Sequence, residues 1–237
     1  MLGIVIPAHN EEQLIRGCLS SVRITSQHPA LMGEPVEMIV VLDDCTDATG
    51  ILASCCGAMT VTIRARNVGV ARAVGAKALL ARGARWLAFT DADTLVSEGW
   101  LTTQLSLQAD VVCGTVSVLD WSPHGCHAAL LQAHFQETYF DGESHRHVHG
   151  ANLGVSAAAY RRVGGFRHLA CSEDVALVNA LIDAGCSVSW SSQPRVVTSA
   201  RTDSRASGGF AGALLNAVAQ RLAESAGATA QSAIAVV

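Results

Sequence analysis

At 237 residues, with 50% hydrophobic and 15% charged side chains, the chain can bury one sizeable core, or two halves that share one. A net charge of −4 lacks the basic face of a general nucleic-acid binder, and no apolar run reaches the roughly 20 residues of a membrane span. Eight cysteines without a C-x-x-C pair read for the most part as small buried thiols in a reducing compartment, and a first strand beginning by Leu2 leaves no room for a signal peptide, so cytoplasm is expected.

Leu2-Gly3-Ile4-Val5-Ile6 is a short apolar run ended by Pro7, the pattern of a buried strand. Asn10 can cap a helix from Glu11, whose first turn then holds two acids. Leu14, Ile15, Cys18, Leu19 and Val22 supply its apolar face. A loop around Pro29, Gly33 and Pro35 leads to a second strand at 36–42, then a helix through Ile51 and Leu52 and a strand at 60–63. A small-residue helix runs over about 70–81, stopped by Gly83, before the apolar run Trp86-Leu87-Ala88-Phe89. This βαβαβαβ order predicts an α/β fold with a mainly parallel sheet covered by helices. Ligands bind such sheets at the carboxyl ends of their strands.

Those ends carry the polar chemistry. Pro7, Ala8 and His9 form a tight segment whose backbone can approach a base and ribose. Glu11 can accept from a ribose hydroxyl or base, whereas dipole compensation explains Glu12 and is the alternative for Glu11. Asp43 can accept from a base N–H, or serve a turn with Thr46 and Asp47. Arg66, Asn67, Gly69 and Arg72 stand where a helix begins, a place that welcomes a diphosphate; Arg72 is either a phosphate ligand or a solvated surface arginine. Asp91-Ala92-Asp93 sets two carboxylates one residue apart at a strand end. That suits a hard cation, Mn²⁺ or Mg²⁺, which also grips a diphosphate, although acidic pairs also cap helices and solvate turns.

The second half is less regular. A helix is expected over 125–140, with Leu130, Leu131, His134, Phe135 and Thr138 loosely on one face. His145-Arg146-His147-Val148-His149-Gly150 alternates like a strand; three histidines on one face can bind a transition metal, or simply form the polar side of a half-exposed strand. Ser172 is a good N-cap for a helix whose apolar face is Val175, Leu177, Val178, Leu181 and Ile182, ended by Gly185. Glu173 and Asp174 would then stand in a first turn that favours acids. Gly208-Gly209, with Arg201 and Arg205, is either a mobile lid or an ordinary loop. The alanine-rich tail from Ala211 can form a helix that packs on the body, pairs with a second chain or touches a membrane surface.

Taken together, Pro7-Ala8-His9-Asn10-Glu11-Glu12, Asp43-Asp44-Cys45-Thr46-Asp47, Asn67-Val68-Gly69 and Asp91-Ala92-Asp93 resemble the nucleotide-sugar half of family-2 glycosyltransferases with the GT-A fold. The resemblance covers roughly residues 2–205. It implies a Rossmann-like, mainly parallel sheet with a more irregular acceptor-side half. It assigns a nucleoside diphosphate sugar to Pro7, Ala8, His9, Glu11, Asp43, Asn67, Arg72, Asp91 and Ala92, and a cation to Asp93 and Asp91. His149-Gly150-Ala151-Asn152-Leu153 resembles the family's small-residue segment facing the sugars, which makes His149, Gly150 and Asn152 sugar or acceptor contacts. Ser172-Glu173-Asp174 resembles the E-D motif of inverting members, with Asp174 as general base and Glu173 positioning it or the acceptor.

The arginine-tryptophan signature of processive synthases is absent, and no histidine follows His168 to supply the late metal ligand of some GT-A enzymes. The expected organisation is a donor half at 1–94, an acceptor half at 95–210 in the same globule, and a tail at 211–237. The expected activity is metal-dependent, inverting sugar transfer to a hydroxyl. A nucleotidyltransferase would normally show a glycine-rich basic loop after the first strand, which Pro7 to Glu12 is not. A non-catalytic nucleotide-sugar binder would be signalled by loss of Asp93 or Asp174, and both are present. A His-x-His-x-His hydrolase leaves the first hundred residues unexplained.

Overall fold

The computed structural model describes residues 1–169 and 171–202. The Gly208-Gly209 segment and the tail from Ala211 lie outside the described residues. Four apolar segments make the parallel half of the sheet: β1 (Leu2–Ala8), β2 (Val36–Asp43), β3 (Met59–Ile63) and β4 (Trp86–Phe89). They are connected through α1 (Ile15–Ser26), α2 (Thr49–Cys55) and α3 (Val68–Ala81), as the alternation of patterns predicts. The chain continues through β5 (Thr94–Val96), α4 (Trp100–Ser106), β6 (Val111–Cys113), α5 (Ala128–Thr138), β7 (Leu153–Ser156), α6 (Ala157–Arg162), α7 (Glu173–Asp183), β8 (Val188–Trp190) and β9 (Val196–Thr198).

Seven strands form one sheet in the order β3-β2-β1-β4-β7-β6-β8, while β5 and β9 pair apart from it. β1 to β4 run parallel, and β7 is antiparallel to both β4 and β6. The register decides the site. Phe89 at the end of β4 pairs with Leu153 at the start of β7, so the segment entering β7 arrives at the carboxyl edge where β4 delivers D-x-D. Helix α3 lies close on β1 and β2 because Gly75 has no side chain; a Cβ there would meet Val5 at 2.5 Å. One core joins Val5, Leu79, Phe89, Leu153, Phe166 and Leu181 across sheet and helices, with a T-shaped Phe89–Phe166 contact at 5.0 Å. Among the described residues no helix is long and apolar enough to cross a membrane.

By contact density the described residues divide into Met1–Leu119 with Asp141–Ser199, and Asp120–Phe140 with the residues from Ala200 to Thr202. The first unit holds the sheet. In the second, a 3-10 segment (Ser122–His127) precedes α5, and Phe135 stacks on Tyr139 at 4.5 Å. The helix expected over 125–140 is therefore shorter, because Gly125 takes a φ of 54° that helical backbone excludes.

Several local expectations are corrected. Pro7 does not end the first strand but pairs within it opposite Val41. Asn10 does not cap a helix: its φ is 54°, and its side chain accepts from Thr46 N instead. Helix α1 starts only at Ile15, after a turn in which Glu11 O receives Leu14 N and Ile15 N, so neither Glu11 nor Glu12 offsets a helix dipole. Glu12 instead laces this turn to the loop after β2, accepting from Ala48 N at 3.0 Å. The segment 145–149 belongs to no strand, because donors that a ladder would use go to side chains: His147 N to His145 Nδ1 and Gly150 N to Asp174. Ser172 precedes α7 as expected, but with φ 56° and no capping bond from its hydroxyl.

Candidate active site

Asp43 ends β2 and is 5% exposed. Its Oδ1 accepts from Ala65 N at 2.7 Å and Arg66 N at 2.9 Å, and its Oδ2 accepts from Asn67 N at 2.8 Å. One carboxylate thus shapes the loop from β3 into α3. His9 Nδ1 lies 2.7 Å from Asp43 O, which fixes the imidazole beside the same strand end. Glu11 is buried, with its amide on Thr49 Oγ1 at 2.7 Å. Asn67 caps α3, its Oδ1 accepting from Val70 N at 3.0 Å. The side chain expected at a diphosphate is therefore engaged in starting the helix.

The D-x-D turn follows β4. Ala92 is buried, and Asp91 O accepts Thr94 N at 3.1 Å and the Cys18 thiol at 3.3 Å. Burial drives the Cys18 thiol far up, and Asp93, Asp91 and Glu11 add to it in that order. That thiol marks a negative field shared by three carboxylates. Among the described residues no group of three or more His, Cys, Asp or Glu gathers as a closed metal site. Two hard carboxylates, with no third protein ligand among the described residues, fit a Mn²⁺ or Mg²⁺ ion that would take the rest of its shell from diphosphate oxygens and water.

Of the two readings of Arg72, phosphate ligand or solvated surface arginine, burial removes the second. Only 4% exposed, Arg72 points between the two acidic motifs. Its Nη2 donates to Asp91 Oδ1 at 2.6 Å and its Nη1 to Glu173 Oε1, 101 residues away in the chain. The guanidinium carbon stands 6.0 Å from the Phe166 ring centroid, and Nε is buried without a hydrogen-bond partner. Burial alone would lower its pKa, but Asp91, Glu173 and Asp174 raise it on balance. Glu173 shifts upward, because burial outweighs the pull of Arg72 and Asp174 adds to it. Gly69 permits this closeness: a Cβ there would meet Arg167 O at 2.7 Å and Glu173 Cβ at 3.1 Å. A glycine in the first turn of the small-residue helix was the available signal for that contact.

Ahead of β7, Gly150 N donates to Asp174 Oδ2 at 2.8 Å, while Oδ1 accepts from Val175 N at 2.8 Å. The three imidazoles stack as a column, His145 to His147 at 5.6 Å between centroids and His147 to His149 at 5.9 Å. Burial, with His147 next, lowers the His149 pKa to about 4 against the opposing charge of Asp174. Asn152, expected among the sugar contacts, is engaged inside the protein. It is fully buried, with Oδ1 accepting from Trp100 Nε1 at 2.8 Å and Nδ2 donating to Thr115 O at 2.7 Å and Pro194 O at 2.9 Å. Its amide is satisfied inside the protein, and it fastens the entrance of β7.

The model for glycosyl transferase family 2 matches residues 3–164. Among solved structures, residues 1–349 of TarS from S. aureus in complex with UDP-GlcNAc align with a TM-score of 0.63 and 15% identity, covering 88% of this chain and 61% of that one. Glucosyl-3-phosphoglycerate synthase from Mycobacterium tuberculosis, in complex with Mn²⁺, UDP and glucosyl-3-phosphoglycerate, gives 0.57 and 19%, covering 85% and 72%. Mannosyltransferase PcManGT from Pyrobaculum calidifontis, in complex with GDP-Man and Mn²⁺, gives 0.56 and 19%, covering 83% and 56%. At these identities the likeness is one of fold, and the chain spans about three fifths of the TarS fragment it matches. No curated protein sequence matches the chain.

Proposed function

The chain belongs to glycosyl transferase family 2, and from that premise we propose that it moves a sugar from a nucleoside diphosphate sugar to an acceptor hydroxyl with inversion. The observation that carries this reading is Arg72, whose buried guanidinium joins Asp91 of the D-x-D turn to Glu173 of the E-D pair. Two motifs 82 positions apart (173 − 91) thus act at one place.

In this reading the segment Pro7, Ala8, His9 and Glu11 holds the nucleoside together with Asp43, at the carboxyl ends of β1 and β2. Asp93 and Asp91 would hold Mn²⁺ or Mg²⁺ against the diphosphate; Asp91 Oδ1 is on Arg72, which leaves its other oxygen for that task. When bound, the cation supplies charge neutralisation for the departing nucleoside diphosphate. Asp174 takes the proton from the acceptor hydroxyl, whose oxygen bonds to the anomeric carbon from the face opposite the diphosphate as the carbon–phosphate-oxygen bond breaks. Gly150 N keeps the Asp174 carboxylate aimed, and Glu173, paired to Arg72, positions the turn that carries it.

The direct test incubates the protein with Mn²⁺ and a set of UDP- and GDP-sugars, and follows release of nucleoside diphosphate. The anomer of the transferred sugar is then read by NMR. Release of free nucleotide with a product of inverted configuration supports the reading. A retained configuration rules out single displacement by an Asp174-activated hydroxyl.

A further inference from the structure

We infer that Cys18 and Ser21 of α1 are positioning residues for the cation: they pin the backbone on either side of Asp93, and the affinity for Mn²⁺ depends on them; this rests on the cation reading above. Two carboxylates on a turn hold an ion only as well as the backbone that carries them is held. Here one helix does the holding. The Cys18 thiol donates to Asp91 O at 3.3 Å, the same oxygen that closes the turn on Thr94 N at 3.1 Å. Ser21 Oγ accepts from Val96 N at 3.1 Å. The pinned atoms lie two residues before Asp93 and three after it, so the two contacts bracket that carboxylate.

The pins are themselves fixed. Ser21 Oγ donates to Cys18 O at 2.8 Å, which leaves its lone pairs for Val96 N. Cys18 is fully buried, and Gly17 lets β5 come close, since a Cβ there would meet Leu95 at 3.3 Å. A thiol and a hydroxyl are neutral donors, so they hold the turn without cancelling the negative charge that a cation needs. Helical spacing puts Thr25 on the same face as Cys18 and Ser21, but its task differs. Its Oγ1 accepts from Leu101 N at 3.1 Å, in the first turn of α4, where the N-cap Gly99 has no side chain to offer. Thr25 thus stands about 10 Å along α1 from Cys18, at 1.5 Å of rise per residue, and anchors a helix rather than the D-x-D turn.

The test titrates Mn²⁺ into the protein with UDP present, follows free Mn²⁺ by its EPR signal, and measures Tm without metal. Cys18→Ala should weaken Mn²⁺ binding about tenfold, as loss of a contact that orients a ligand does. Cys18→Ser keeps a donor in place and should stay within about threefold of the parent. Ser21→Ala, at a half-buried position, should also weaken Mn²⁺ binding, and it carries the comparison if Cys18→Ala does not accumulate. Thr25→Val strands Leu101 N and should lower Tm with Mn²⁺ affinity unchanged. Parent-like affinity in Cys18→Ala or Ser21→Ala overturns the inference and leaves the cation reading standing. It is equally overturned if Cys18→Ser binds as weakly as Cys18→Ala, or if Thr25→Val loses as much affinity, since the effect would then be a general loosening of the fold. If the parent itself binds no Mn²⁺, the cation reading fails and the inference falls with it.

Discussion

The guanidinium of Arg72 lies where a Cβ on residue 150 would stand, so Gly150 and Arg72 share one space that only glycine leaves open. The same glycine gives its N–H to Asp174 at 2.8 Å. One small residue therefore lets the buried cation reach Asp91 and Glu173 and also holds the proposed base. The donor-side turn, the entrance to β7 and the start of α7 are bound through these two residues.

Removing the cation should expose what it compensates. Arg72→Met leaves Glu173 buried without its partner, and breaking such a pair costs about 3–5 kcal/mol. Burial already holds the Glu173 carboxyl above its ordinary value of 4.5, and Arg72 opposes that shift. A raised native pKa contributes stability that is present below the unfolded value and lost as pH rises through the native one. Without Arg72 the native value rises further. The urea-midpoint gap between Arg72→Met and the parent should therefore widen from pH 4.5 towards neutrality. A gap independent of pH would mean that Arg72 does not compensate Glu173. Arg72→Lys should recover part of the stability but not the two-pronged contact, so sugar transfer stays impaired.

Much of the first half of the chain is legible in the sequence because its signals are local. Apolar runs at 2–6, 36–42 and 86–89 lie within observed strands, and the first three helices follow in the expected order. The motif residues are also where strand ends should place them. What the sequence hides is the partner each polar side chain finds. Asn10 looks like a cap until Thr46, 36 residues on, claims its side chain. Arg72 reads as a phosphate ligand or a surface arginine, because nothing near it in sequence announces Glu173. The histidine run alternates as a strand does, yet its amides are drawn to side chains rather than a ladder. Local pattern fixes elements, whereas long-range packing decides which polar groups meet.

Asn152 separates a structural from a substrate role. Asn152→Leu strands Trp100 Nε1, Thr115 O and Pro194 O, all formerly bonded to the amide. Each stranded buried group costs roughly 1–3 kcal/mol. The variant should lose several degrees of Tm or fail to accumulate, while the fraction that folds keeps the parent's KM for donor. A stable variant with a raised KM would return Asn152 to the sugar contacts.

His149 should set an acid limit. Its pKa falls from 6.5 to about 4 on folding, chiefly through burial and then through His147. The unfolded chain therefore binds the proton more readily. The stability associated with neutral His149 is present above pH 6.5 and lost as pH falls towards about 4. His149→Gln should flatten the fall in Tm across that window, read by thermal denaturation at stepped pH. An unchanged slope would place the acid sensitivity elsewhere, for instance on His145, whose pKa is also lowered by burial.

Asp174 carries the most consequential assignment. Asp174→Asn keeps an oxygen for Gly150 N, so the tie that aims the side chain can persist. Asparagine gives up the bond from the exposed Val175 N, which water can replace, and lacks the ability to take a proton. A general base contributes roughly 10²–10⁴-fold, and kcat should fall by about that much. Donor binding and Tm should stay near the parent, since Asp91, Asp93 and Arg72 are untouched. Glu173→Gln should show the reverse balance, because it removes the charge that pairs with Arg72 and so weakens the fold at the site more than the proton transfer. The pair of variants distinguishes the two acids by whether kcat or stability moves. If Asp174→Asn kept full turnover while Glu173→Gln lost it without loss of Tm, the proton would belong to Glu173, and Arg72 would be holding the base itself.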